Sequence, residues 1–327
     1  MPFEVSYPLD NVPMHEGEPF YSLQEYKFTA SNESSFSILL RAFPTLPPSD
    51  AVGLLSGFDS TGLTVWNGSL AFVEWLVRDR AVLQNALSRP YQLASGNFRV
   101  NFLDLGCGCG ILSMALWHLI VIEMKRQANA TVTARIIATD GNKECVSLCS
   151  QNFQEQCQDG TFLPLSCCGK HGVQAEATML NWGDDSTDYP KLIECCDRVV
   201  ILSAEVIYTL EAIPLLISTV CSLRKAFYAG TPGYAPGVAI GNLESIEYPR
   251  LQWWLLYTPR SLSVSSNKAI YEGLIAALAA QSSWTFQQIE APAGSLRCGF
   301  ESASLGEELP LSLKGCIFVV NLNLKKR

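Results

Sequence analysis

From Ser69 to about Leu87, apolar Leu70, Phe72, Val73, Leu76, Val77, Val82 and Leu83 recur at helical spacing, with Arg78, Asp79 and Arg80 on the other side. This predicts an amphipathic helix packed on a core. Beyond it, short apolar runs alternate with helices. Arg99–Leu105 reads as a strand ending in Gly106-Cys107-Gly108-Cys109-Gly110, and an apolar helix follows from Ile111 to about Gln127. Ala134–Thr139 is a second strand, ending at Asp140, with a helix from Lys143 to about Gln156 behind it. Val173–Met179 and Arg198–Ala204 are the third and fourth strands, and the fourth is followed by a helix from about Leu210 to Leu223 that takes Pro214 near its first turn. Ala226–Ala229 is predicted as the fifth strand, closed by the turn-rich stretch from Gly230 to Gly237. A helix over Asn267–Gln281 precedes strands at Trp284–Ile289 and Cys316–Leu324, which no helix separates, so an antiparallel hairpin is expected at the end of the sheet. Strand–helix alternation with glycine-rich strand ends predicts a doubly wound, mostly parallel sheet whose ligand site lies at the strand C-termini.

The first fifty residues are mixed and polar and close on Pro44, Pro47 and Pro48, which predicts an extension of short strands and loops ahead of a domain over residues 51–327. With 48% hydrophobic and only 17% charged residues, this 327-residue chain has enough apolar side chains for a sizeable core. The balance of 23 Lys and Arg against 31 Asp and Glu disfavours a broad nucleic-acid or anionic-membrane footprint. The apolar stretch Ile111–Ile122 contains His118 and is shorter than the ~20 residues a bilayer span takes, so it reads as a buried helix. Met1–Asp10 shows neither the basic start nor the apolar block of a secretory signal, so a cytoplasmic or nuclear location is expected. The twelve cysteines are then expected as reduced, mostly buried thiols. Their spacings do not repeat CxxC, and no metal is expected.

Leu103-Asp104-Leu105-Gly106-Cys107-Gly108-Cys109-Gly110 carries the strongest chemical signal. Glycines let the backbone turn off the strand and approach a ligand, with the next helix's amides facing it. Asp104 stands at the strand end, and Asp140 ends the second strand, where a carboxylate accepts hydrogen bonds from ribose hydroxyls. The dinucleotide fingerprint GxGxxG, counted from Gly106, needs glycine where this chain has Ile111, which favours S-adenosylmethionine over a nicotinamide cofactor. Asn181 and Trp182 follow the third strand, where an indole can stack on adenine and the amide can bond its edge. Ser203-Ala204-Glu205-Val206-Ile207-Tyr208 closes the fourth strand with a carboxylate and a phenol at the lip of the site.

Taken in order, Gly62-Leu63-Thr64-Val65-Trp66, LDLGCG, Thr139-Asp140-Gly141-Asn142, Asn181-Trp182 and Ala204-Glu205-Val206-Ile207-Tyr208 resemble the class I, S-adenosylmethionine-dependent methyltransferases of the methyltransferase-like group that modifies protein side chains. Within it, lysine enzymes show Asp-x-x-Tyr after the fourth strand and the protein-histidine methyltransferase family shows Ser-Glu-x-Ile-Tyr; this chain has Glu205. Gly57–Trp66 and Lys225-Ala226-Phe227-Tyr228 also look like the histidine family. Departures are Trp66-Asn67-Gly68-Ser69 for that family's Trp-Glu-Cys-Thr, Ala204 for its Ser, and Thr231-Pro232-Gly233-Tyr234 for its glycine triplet.

The resemblance implies a seven-stranded Rossmann-like sheet and S-adenosylmethionine as cofactor, held by Val65, Trp66, Asn67, Asp104, Gly106, Gly108, Asp140, Gly141, Asn142, Asn181, Trp182, Ser203 and Ala204. It implies methylation of a histidine side chain of a protein, ribosomal or nuclear, with Glu205 and Tyr208 at the reacting ring. A carboxylate there stabilises the imidazolium that forms or holds the other ring nitrogen. Lysine is the second acceptor, and a silent cofactor-binding assembly factor is the rival of another class. A monomer without direct nucleic-acid or membrane contact is expected.

Overall fold

Near-continuous apolar runs make the central strands, because both faces of the sheet they form are covered. The structure, a computed structural model, describes residues 3–6, 21–30, 34–43, 61–89, 97–126, 132–158, 172–194, 196–229, 250–259, 263–292 and 315–322. In chain order the elements are β1 (Phe3–Ser6), β2 (Ser22–Ala30), β3 (Ser34–Ala42), a 3₁₀ turn (Thr61–Leu63), α1 (Asn67–Arg78), α2 (Arg80–Leu87), β4 (Phe98–Leu105) and α3 (Ile111–Arg126). They continue as β5 (Val132–Asp140), α4 (Lys143–Gln158), β6 (Gly172–Met179), α5 (Tyr189–Leu192), β7 (Arg198–Ala204), α6 (Ala212–Ala229), β8 (Leu251–Tyr257), α7 (Val264–Ala280), β9 (Thr285–Glu290) and β10 (Cys316–Asn321).

Seven strands form one sheet in the order β6-β5-β4-β7-β8-β10-β9, the first five parallel. β10 runs antiparallel to both β8 and β9, which places the expected hairpin at the sheet's far edge. The order reverses between β4 and β7, where Leu103 pairs with Ile201, so their C-terminal ends flank a crevice at a topological switch point. Alternate side chains divide two cores. Phe102, Ile136, Val200 and Trp254 join α1, α3 and α4, whereas Leu103, Ile137, Ile201 and Trp253 join α6 and α7.

Two expectations change. Residues 226–229 end α6 rather than form a strand: Leu216, Val220, Leu223 and Phe227 are buried along one helical row, and a four-residue apolar run continues that row as readily as it starts a strand. The fifth parallel strand is Leu251–Tyr257, buried almost throughout. The first helix is two helices broken at Asp79, whose backbone (φ −105°, ψ 68°) leaves the helical region. The turn-rich stretch at 230–237 lies outside the described residues.

The N-terminal strands pair as an antiparallel sheet, β1-β2-β3. Tyr26, Phe28, Ile38 and Leu40 alternate inward and belong to the same core as α3 and α4. His118 on α3 stacks on Phe36 at 5.0 Å and 15°. Burial drives its pKa down to about 4, against the hydrogen bond it donates to Gln156. Asn152 on α4, fully buried, accepts from Arg41 N (2.8 Å) and donates to Arg41 O (3.0 Å) and Cys109 O (2.9 Å), so it ties β3 to the glycine loop.

Candidate functional site

The chain leaves β4 through three glycines at positive φ: Gly106 (81°), Gly108 (54°) and Gly110 (93°). Side chains rarely adopt this region, and here they have no room either. A Cβ on Gly106 would come 2.6 Å from Val206 Cγ1, and one on Gly108 2.5 Å from the Gly62 carbonyl. The loop is anchored to the neighbouring strand, with Gly106 N and Cys107 N both donating to Thr139 O at 2.8 and 2.9 Å. α3 begins at Ile111, so its N-terminal amides open toward the crevice.

Asp140 ends β5. Its Oδ2 accepts from Gly108 N (3.0 Å) and its Oδ1 from Asn142 N (2.9 Å). A carboxylate oxygen can accept more than one hydrogen bond, so this pair can also receive a hydroxyl donor. Asn142 in turn caps α4, its Oδ1 accepting from Glu144 N at 2.8 Å. After β6, Gly183 at φ 74° is pinned by a 2.9 Å bond from its amide to Thr219 Oγ1, which sets half-buried Trp182 beside the glycine loop.

Glu205, just past β7, has φ 58° and is the one non-glycine residue at positive φ among the described residues. Its amide donates to Leu256 O (3.0 Å), and its Oε2 accepts from Gly68 N (2.5 Å) at the N-terminus of α1. Trp66, the residue before α1, makes no side-chain cap of its own, so Glu205 serves that helix end from across the crevice.

These strand ends enclose a cleft of about 660 Å³, within the usual size range of small-molecule sites. Of the residues expected from the sequence, Trp66, Gly106, Gly108, Asp140, Gly141, Asn142, Asn181, Trp182, Ala204, Glu205 and Tyr208 line it. Four others stand behind the lining. Val65 is buried in the core and Asn67 is the exposed first residue of α1. Ser203, fully buried, accepts from Trp253 Nε1 (3.0 Å), and Asp104, also buried, accepts from Ser113 Oγ (2.7 Å) beneath the loop. Burial raises the Asp104 carboxyl to about 7, the Ser113 bond opposes the shift, and the Asp140 charge adds to it.

Lining residues that the sequence did not single out include Thr64, Leu180, Val206, Leu215 and the thiols Cys107, Cys109 and Cys145. A hydrogen bond to Cys149, with burial, pushes the Cys107 thiol up, and burial pushes Cys109 up to about 12. Both stay protonated and are poor nucleophiles. Seven cysteines among the described residues are thiols rather than disulfides.

The family described as lysine methyltransferase matches residues 55–227, a stretch that runs from before the 3₁₀ turn to the end of α6 and holds every element around the cleft. The chain belongs to this family. The methyltransferase takes S-adenosylmethionine as cofactor, and its glycine cradle, Asp140 carboxylate and 660 Å³ cleft fit an adenosyl ligand. No curated protein sequence matches the chain. Among solved structures, it is similar to the methyltransferase domain of METTL16, with a TM-score of 0.38 and 8% identity over 79% of this chain and 83% of that one. A putative rRNA methylase from Clostridium thermocellum aligns at 0.36 and 10% identity, over 79% and 97% of the two chains. A SAM-dependent O-methyltransferase from Thermotoga maritima aligns at 0.34 and 9%, over 92% and 79%.

Proposed function

We propose that this methyltransferase transfers a methyl group to the side-chain nitrogen of a lysine in a protein. The observation that carries this reading is the mouth of the cleft. There the Glu205 carboxylate stands with two large aromatic side chains, Trp66 (37% exposed) and Tyr208 (48% exposed), which border the same cleft yet remain open to solvent. A carboxylate and two π faces attract a cationic side chain arriving from outside. The description of the matched family supports the same acceptor.

The histidine acceptor drew on Glu205, on Gly57–Trp66 and on Lys225–Tyr228. Of these, Lys225–Tyr228 lie on the last turn of α6 and not on a strand at the cleft, and residues 57–60 are outside the described ones. Glu205 in place of aspartate is what still favours it.

Bound S-adenosylmethionine supplies a methyl group activated by its positive sulfonium. The protein's own part is placement, since a well-oriented acceptor gains more than an added catalytic group would provide. Asp140 and the backbone of Gly106 and Gly108 are assigned to the cofactor's sugar and amino-acid portion, and Trp182 to its base. Glu205 and Tyr208 are assigned to the acceptor, where the carboxylate orients the amine and takes up the proton it must lose. Leu215 and Val206 add apolar surface to the lining.

Glu205→Gln and Tyr208→Ala are each expected to lower turnover by about 10- to 100-fold while S-adenosylhomocysteine affinity changes less than about threefold. Tritiated methyl transfer into the protein of a cell extract, followed by acid hydrolysis, identifies the acceptor. Labelled methyllysine is expected. Methylhistidine would reverse the choice of acceptor, and label confined to small molecules, or absent, would overturn protein methylation.

A further inference from the structure

Gly68 does not line the cleft, and the sequence marks it only as a departure, glycine where the resembling histidine enzymes carry cysteine. In this structure the glycine makes a specific contact. Gly68 is the second residue of α1, and its amide holds Glu205 Oε2 at 2.5 Å. A Cβ on Gly68 would overlap that oxygen and stand 2.7 Å from Glu205 Cβ and 2.9 Å from Glu205 Cδ. Neither partner has slack to yield. The Glu205 amide is tied to Leu256 O at 3.0 Å, and its backbone already sits at φ 58°, where a β-carbon is strained. α1 is fixed by Phe72 and Trp75, both buried, with Trp75 edge-on to Trp254 at 5.8 Å. A side chain at position 68 therefore displaces the Glu205 carboxylate from the helix end and also presses on Glu205 Cβ, which moves only with its backbone.

We propose that Gly68 is a positioning residue for the methyl acceptor: by presenting no side chain to Glu205, it lets that carboxylate seat on the N-terminus of α1 and so fixes the acceptor-facing wall between Trp66 and Tyr208. The inference rests on the reading of Glu205 as the acceptor-side carboxylate. Residue 68 touches neither substrate. Its effect passes through Glu205 alone, which distinguishes it from a glycine needed only for folding.

A double-variant cycle tests this with Gly68→Ala, Glu205→Gly and the two combined. Three readouts are taken: melting temperature, S-adenosylhomocysteine affinity by calorimetry, and tritiated methyl transfer into cell-extract protein per cofactor-binding site. Gly68→Ala is expected to cut transfer by about tenfold or more, with cofactor affinity changed less than about threefold. In the Glu205→Gly background, where no side chain remains to displace, the same change is expected to cost nothing further in transfer or melting temperature. Full transfer by Gly68→Ala, or losses that multiply in the combined variant, would overturn the proposal. A wild-type protein that transfers no label would fail the reading of function instead. The coupling is then still read from melting, where equal losses from Gly68→Ala in both backgrounds would overturn it.

Discussion

Asp140→Ala is expected to weaken S-adenosylhomocysteine binding by about 100-fold, read by calorimetry on protein shown to be folded by its melting curve. The carboxylate does two things at once. Its oxygens are assigned to accept from the ribose hydroxyls, and a charge-assisted hydrogen bond is worth roughly 1.5–3 kcal/mol, so losing one such bond removes about one to two decades of affinity. Its occupied lone pairs hold Gly108 N and Asn142 N, the tip of the glycine loop and the cap of α4, so alanine also loosens the cradle itself. Asp140→Asn keeps the shape and one acceptor oxygen and should fall between wild type and alanine. A change under about threefold for Asp140→Ala would remove the residue from the cofactor site.

The second large effect concerns stability rather than binding. Asp104 is fully buried under the loop, and burial raises its carboxyl from 3.8 to about 7. Between those values the folded protein holds a proton that the unfolded chain releases. Stability is therefore highest near the unfolded value, falls as pH rises toward 7, and stays low above it. A shift of this size corresponds to about 4 kcal/mol at most across the window. Asp104→Asn, neutral at every pH and still able to accept from Ser113, should melt with wild type below about pH 4 and several degrees above it at pH 8. Parallel melting-temperature profiles for the two proteins would contradict this account of Asp104.

Much of the cofactor side was legible in the sequence because its chemistry sits at strand ends that local patterning marks. The glycine loop after β4, Asp140 after β5, Trp182 after β6 and Glu205 after β7 each follow a short apolar run, and parallel pairing brings those four ends to one crevice. The acceptor side depends on long-range pairing that no local pattern records. Glu205 meets Gly68 across 137 positions, and Asn152 reaches Arg41 across 111. The role of the first fifty residues was hidden for the same reason: β2 and β3 alternate as any half-buried hairpin does, and only the folded chain shows them bracing α3, α4 and the loop. The β8 strand, Leu251–Tyr257, is buried on both faces and so has no period of two to reveal it. Lys225–Tyr228 erred in the opposite direction, being too short for its helical row to be separated from a strand.

Calorimetric titration of the purified 327-residue chain with S-adenosylhomocysteine, beside NAD as comparison, tests the central claim most directly. One molecule bound per chain with micromolar or tighter affinity, and no heat from the dinucleotide, is the result expected from the positive-φ glycines and the Asp140 carboxylate. Folded protein that ignores the adenosyl compound and binds NAD would contradict the account.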